Sequence, residues 1–185
     1  VTTGTHNTFI GGLAGDATTT GIGNVAVGAE ALTVNTTANS NTAIGFGSMA
    51  ANTTGTSNTS IGRSSLAANT TADNNTALGY FALNVNTTGA ENTGVGFNAL
   101  VANTTAQRNT AVGHDNMAAT TTGSYNSALG HRTLFVNTVG TENVAMGYVA
   151  MDANTEGSYN VALGVNALGS NTTADYNVAI GFGAM

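Results

Sequence analysis

The chain has 185 residues, a formal net charge of −6 and no Cys, Pro or Trp, and charged side chains make up only 6% of it, against about a quarter in an ordinary soluble domain. Three Arg and no Lys cannot build a basic stripe, which argues against nucleic acid as a partner, and no apolar run approaches the roughly 18 residues of a membrane-spanning helix. Without cysteine there is neither a disulfide framework nor a thiolate metal site, and a mean hydropathy of +0.06 does not fit disorder driven by charge.

Val1 rather than Met opens the chain, as in a processed product or a fragment of a longer protein. Val1 to His6 lead into a pattern, Asn-x-x-aliphatic-Gly, that begins at Asn7 and recurs at Asn24, Asn41, Asn58, Asn75, Asn92, Asn109, Asn126, Asn143, Asn160 and Asn177. Every step is seventeen residues, without insertion or deletion. Counting from that Asn as offset 0, offset 3 is always Ile, Val, Leu or Met, offset 4 is always Gly, offset 8 is Leu or Met in all but the first copy, and offset 12 is always Thr. Charges fall only at offsets 5, 6, 9, 13, 15 and 16. Seventeen residues rich in Thr, Asn and Gly leave no room for a helical pair and disfavour helix. Neither the Gly-x-y period of collagen nor the Gly-Gly-x-Gly-x-Asp period of calcium-binding solenoids is present. The pattern predicts an all-β fold: a single domain over 1–185, a parallel β-solenoid of eleven 17-residue coils.

Within each coil, offsets 1–3 read as a short strand, Gly at offset 4 as a turn residue free to take positive φ, and offsets 7–12 as a second strand. Strand alternation then puts offsets 8, 10 and 12 on one face, and together with offset 3 these form the expected interior. Ile44, Ile61, Leu66, Leu83, Thr53 and Thr70 belong to it, while Gly45, Gly62 and Gly79 make the turns. Asn41, Asn58, Asn75 and Asn92 are expected at corners, stacked into amide ladders. Offset 2 is Ala in eight copies and offset 7 is mostly Ala or Ser. Read as outward columns, these small residues predict a second buried surface and hence a homo-oligomer around a shared long axis, and the open ends would also suit a head-to-tail filament. No polar cap precedes the first coil or follows Met185, so the pattern either continues beyond both ends or is extended by stacked copies.

The units Asn41-Thr-Ala-Ile-Gly-Phe-Gly-Ser-Met-Ala-Ala-Asn-Thr-Thr-Gly55 and Asn160-Val-Ala-Leu-Gly-Val-Asn-Ala-Leu-Gly-Ser-Asn-Thr-Thr173 resemble the NTAIG…AL…NTTG arrays of phage tail-fibre-type proteins. Their Val-Ala-Ile-Gly core is also similar to the head repeats of trimeric autotransporter adhesins. The resemblance spans the whole chain and implies a trimeric, left-handed parallel β-roll in an extracellular, cell-surface or virion fibre, with a cell-surface glycan as a potential partner. The adhesin repeat is shorter than seventeen, and the chaperone domain that ends many tail-fibre proteins is not in this sequence.

Chemistry is sparse. No nucleophile elbow, phosphate loop or HExxH motif occurs, and the nine acidic residues are scattered over turn offsets, with the pair Asp152 and Glu156 not singled out. His114 and His131 share offset 5 and so stack one above the other beside Asp115, a weak candidate for a divalent metal; no cofactor is expected. The rest of that column is aromatic-rich (Phe46, Tyr80, Phe97, Tyr148, Phe182), which suits packing between protomers or stacking on a glycan. Asn-x-Thr sequons at Asn35, Asn52, Asn69, Asn86, Asn103 and Asn171 follow from the repeat and need no glycosylation. The expected role is a non-enzymatic structural subunit of an extracellular fibre. The alternatives are a receptor- or glycan-binding fibre module and, on the strength of the Thr columns at offsets 12 and 13, an ice-binding solenoid.

Overall fold

The computed structural model describes residues 3–185. Its regular structure is eleven three-residue strands: β1 (Thr8–Ile10), β2 (Val25–Val27), β3 (Thr42–Ile44), β4 (Thr59–Ile61), β5 (Thr76–Leu78), β6 (Thr93–Val95), β7 (Thr110–Val112), β8 (Ser127–Leu129), β9 (Val144–Met146), β10 (Val161–Leu163) and β11 (Val178–Ile180). They form one sheet in chain order, each parallel to its neighbours and displaced by one repeat, so that Ile44 pairs with Ile61 and Leu78 with Val95. The protein is a parallel β-solenoid that climbs one strand per seventeen residues.

Gly at offset 4 ends every strand for two reasons. At Gly45 φ is +130°, a region closed to other residues. A Cβ there would also meet the Gly62 carbonyl oxygen of the next coil at 2.5 Å.

The second half of the coil is not the strand its composition suggests. Phe46 to Ala51 form consecutive turns, closed by the Ser48 N–H donating to the Gly45 carbonyl (3.3 Å) and the Asn52 N–H to the Met49 carbonyl (3.2 Å). Offsets 6, 8 and 16 are left-handed throughout, as at Asp115 (φ 51°), Met117 (φ 52°) and Tyr125 (φ 63°). Such conformations cost about 1–3 kcal/mol each in residues other than Gly. What offsets the strain is regular backbone pairing between coils along the axis. The Gly47 N–H donates down to the Ala29 carbonyl (3.0 Å) and the Met49 N–H up to the Ser65 carbonyl (3.1 Å). Turns therefore do the inter-coil bonding that a strand would do.

This geometry makes the coil narrow and reverses part of the expected interior. Leu66 and Leu83 at offset 8 are fully buried, but Ile44 at offset 3 is 36% exposed and Leu78 43%. Ile61 is half-buried and likewise points outward. Offset 10 also lies on the outside, with Val34 and Val85 exposed. The small residues at offsets 2 and 7, expected outside, line the interior instead: Ala43, Ala77, Ala82 and Ala99 are fully buried. These two walls touch, since the Ser48 hydroxyl donates to that of Ser60 across the interior at 2.8 Å. Only Ala, Gly or Ser fits in most copies where they meet, beside one Leu or Met per coil. The small columns therefore cannot be the contact between copies.

Two Asn columns flank this core. At offset 0 the Asn58 side-chain oxygen accepts from the Asn75 backbone N–H at 2.9 Å, and its Nδ2 donates to the Ala72 carbonyl at 2.8 Å. Asn41 and Asn92, also buried, repeat both bonds, while buried Asn75 repeats the first but turns its Nδ2 to the Asp73 carbonyl at 3.3 Å. At offset 11 the Asn69 Nδ2 donates to the Asn52 Oδ1 (2.8 Å) and to the same Ala72 carbonyl (3.1 Å). The two ladders thus meet on the carbonyl of offset 14. The offset 11 ladder breaks at Thr120, and both the Asn103 Oδ1 and the Thr120 hydroxyl are buried without a partner.

Candidate functional site

With the backbone turned inward to bond its neighbouring coils, display falls to the outward columns. The longest is offset 5, just beyond the turn Gly. Tyr80 stacks on Phe97 (centroids 5.5 Å, interplanar 7°), Phe97 on His114 (4.8 Å, 20°), His114 on His131 (5.2 Å, 20°) and His131 on Tyr148 (5.4 Å, 15°). The Arg63 guanidinium lies between the Phe46 and Tyr80 rings, 5.7 and 5.8 Å from their centroids, a cation held by two π faces. Phe182 stands apart at the C-terminal end, beyond Val165, and is 86% exposed. In the middle of this column each ring covers the face of the next, so only ring edges meet water. Carbohydrate stacking needs a face.

The weak metal candidate has definite geometry. His114 and His131 are near-parallel plates, and their in-plane nitrogen lone pairs point side by side rather than at a common centre. The His114 Nδ1 is 3.1 Å from Asp115 Oδ2, while Asp115 Oδ1 accepts from Asn98 Nδ2 at 3.0 Å. Among the described residues no group of three or more His, Asp or Glu gathers where it could hold an ion. Arg132, next to His131, lays its guanidinium over Phe135 at 4.1 Å.

A second polar ladder escaped the sequence reading. At offset 16 the Arg108 Nε donates to Glu91 Oε2 at 2.7 Å and its Nη1 to the Tyr125 hydroxyl at 2.7 Å. The guanidinium beside Glu91 holds that carboxyl below the usual carboxylate range, and the carboxylate, with the Tyr125 hydroxyl, raises Arg108 still further. Opposite charges at one offset in successive copies were the available signal. Tyr159 and Tyr176 stack in the same column (4.9 Å, 5°). The Thr columns divide differently. At offset 12 hydroxyls are committed, Thr53 donating to the Thr70 carbonyl (3.0 Å) and Thr70 to that of Thr87 (3.2 Å), whereas Thr54 and Thr71 at offset 13 are exposed.

The face that the sequence reading placed inside is the broadest outward surface. Offsets 1 and 3 of all eleven strands form it, with Leu129 (45% exposed), Met146 (49%) and Ile180 (69%) among its aliphatics. A shallow depression of about 200 Å³ lies there between Val112, Leu129, Val144 and Met146, over Ala128 and Ala145. Fold and surface together define a repeat solenoid with patterned outer columns. No protein-family model, curated protein or solved structure matches the chain.

Proposed function

We propose that the chain is a non-enzymatic structural element, a stiff β-solenoid shaft in an extracellular, cell-surface or virion fibre. The observation that carries this reading is the unbroken inter-coil bonding: at offset 0 the backbone N–H of every Asn from Asn24 to Asn177 donates to the side-chain oxygen of the Asn one coil before it. Stacked at about 4.8 Å per strand, eleven coils span roughly 50 Å, and each coil leans only on its neighbours. The resemblance of the Asn41 and Asn160 units to tail-fibre arrays supports the same role. Electron microscopy of the purified protein tests it: rods about 50 Å long or multiples of that length, resistant to protease, are expected, and compact globular particles would overturn it.

Receptor or glycan binding at the offset 5 column is the second reading, favoured by its exposure. The mutual stacking of Tyr80, Phe97, His114, His131 and Tyr148 covers the ring faces a sugar would need, and leaves the isolated Phe182 ring as the place for such binding. Loss of binding to a glycan array on Phe182→Ala, with no loss on Phe97→Ala, is the pattern this reading requires.

A further inference from the structure

We infer that the outward face of the sheet, built from offsets 1 and 3, is a self-association surface whose occupant is the same face of a second copy of this chain. The inference stands on the sheet face alone and holds whatever structure the rod serves.

Three observations carry it. The first is chemistry: no charged residue occurs at either offset in any of the eleven strands, offset 1 being Thr or Ser in seven and Val in four, and at offset 3 large aliphatics stand exposed along the whole length, from Ile10 and Ile44 through Leu78 and Leu129 to Ile180. Along the chain the face is flanked by the aromatic offset 5 column, in which Arg63 is the one Arg and no Asp or Glu occurs, and by the offset 16 column that holds Glu91, Arg108 and Glu142. Depletion of charge at the centre, with aromatic residues beside it, is what the core of a protein interface shows.

The second is area. Two outward columns with their side chains are about 12 Å wide, and eleven strands run about 50 Å, giving roughly 600 Å² per copy. Closing two such faces on each other removes about 1,200 Å², the lower bound for a specific, stable interface.

The third is pitch. The face is a grating, one ridge per strand in unbroken parallel register from β1 to β11. A partner with any other surface period falls out of step within a few ridges. A second copy has the same period by construction, so the aliphatic ridges of one can seat between those of the other along the full length. The depression over Ala128 and Ala145 is wide enough to receive such a side chain. One flat face is satisfied by one flat face, so the assembly is an isologous pair.

Sedimentation equilibrium on the purified chain tests this, with Leu78→Asp, Leu129→Asp and Met146→Asp as variants. The wild type is expected at the mass of two chains at micromolar concentration. Each Asp variant is expected at the mass of one, with circular dichroism and melting temperature of the separated chain preserved because the substituted side chains are exposed. Leu129→Ala, which introduces no charge, should weaken the pair roughly tenfold. Thr71→Asp and Thr105→Asp, on the exposed offset 13 column, should leave it paired. A wild type of single-chain mass up to millimolar concentration, a mass of three chains, or a pair that survives all three Asp substitutions would each overturn the proposal.

Discussion

Two aliphatic columns run the length of this solenoid, and they have opposite fates. Offset 8 holds Leu32, Met49, Leu66, Leu83, Leu100, Met117, Leu134, Met151 and Leu168, all buried to 2% exposure or less. Offset 3 holds residues at least as apolar, and Ile44, Leu78, Leu129 and Met146 face outward. Hydropathy does not separate them, but backbone conformation does. Each residue of the inner column is left-handed, with φ between 49° and 54° for these nine, a region that disfavours β-branched side chains and that at offset 6 admits one of them, Val149. The inner column accordingly contains no Ile or Val, while the outer one, on extended strands, uses both freely.

The largest test of this contrast is truncation. Leu83→Ala should cost about 2–5 kcal/mol, because the narrow interior cannot collapse around the loss, whereas Leu78→Ala should change the stability of the single chain by no more than about 0.5 kcal/mol. Denaturant titration of both variants checks the difference. A volume-neutral swap is finer: Leu100→Ile should cost about 1–3 kcal/mol through left-handed strain alone, and Leu129→Ile should be silent. Equal effects in the two positions would show that packing, and not φ, selects the inner residues. Beside the inner column, Thr120→Asn should rejoin the broken amide ladder, give the buried Asn103 Oδ1 a donor, and stabilise by about 1 kcal/mol, read as a rise in melting temperature. The smallest effect belongs to the outer surface. Glu91 has its pKa lowered by Arg108, so the pair's contribution is present above the unfolded carboxylate range and is lost as pH falls through the folded value. Both side chains are 47% exposed, so only a slight, salt-sensitive decline in acid is expected, and Glu91→Gln should remove it.

The sequence made the period, the parallel stacking, the Gly turns and the burial of offset 8 readable, because a fixed repeat forces like onto like. It misassigned the first strand's faces because three residues contain only one alternation: Ala43 flanked by Thr42 and Ile44 fits either orientation, and hydropathy favours the wrong one. The left-handed turns were hidden because Leu and Met are as common in strands as anywhere, and their diagnostic feature was an omission, the missing Ile and Val at offset 8. The ring column at offset 5 was legible as a column. Its face-to-face stacking, which decides what it can bind, depends on side-chain rotation that spacing does not encode. Arg63 between two rings and Arg108 between Glu91 and Tyr125 share that origin.

The offset 11 sequons sit within the amide ladder. Asn35, Asn52, Asn69, Asn86 and Asn103 are wholly buried, and the Asn52 and Asn69 side-chain nitrogens each donate to a neighbouring Asn and to a backbone carbonyl. An oligosaccharide attached to any of them during synthesis in a eukaryotic secretory pathway would occupy the space of the adjoining rung and prevent the rod from closing. Recombinant production therefore belongs in a host that lacks this modification, or with the sequon threonines rather than the asparagines replaced.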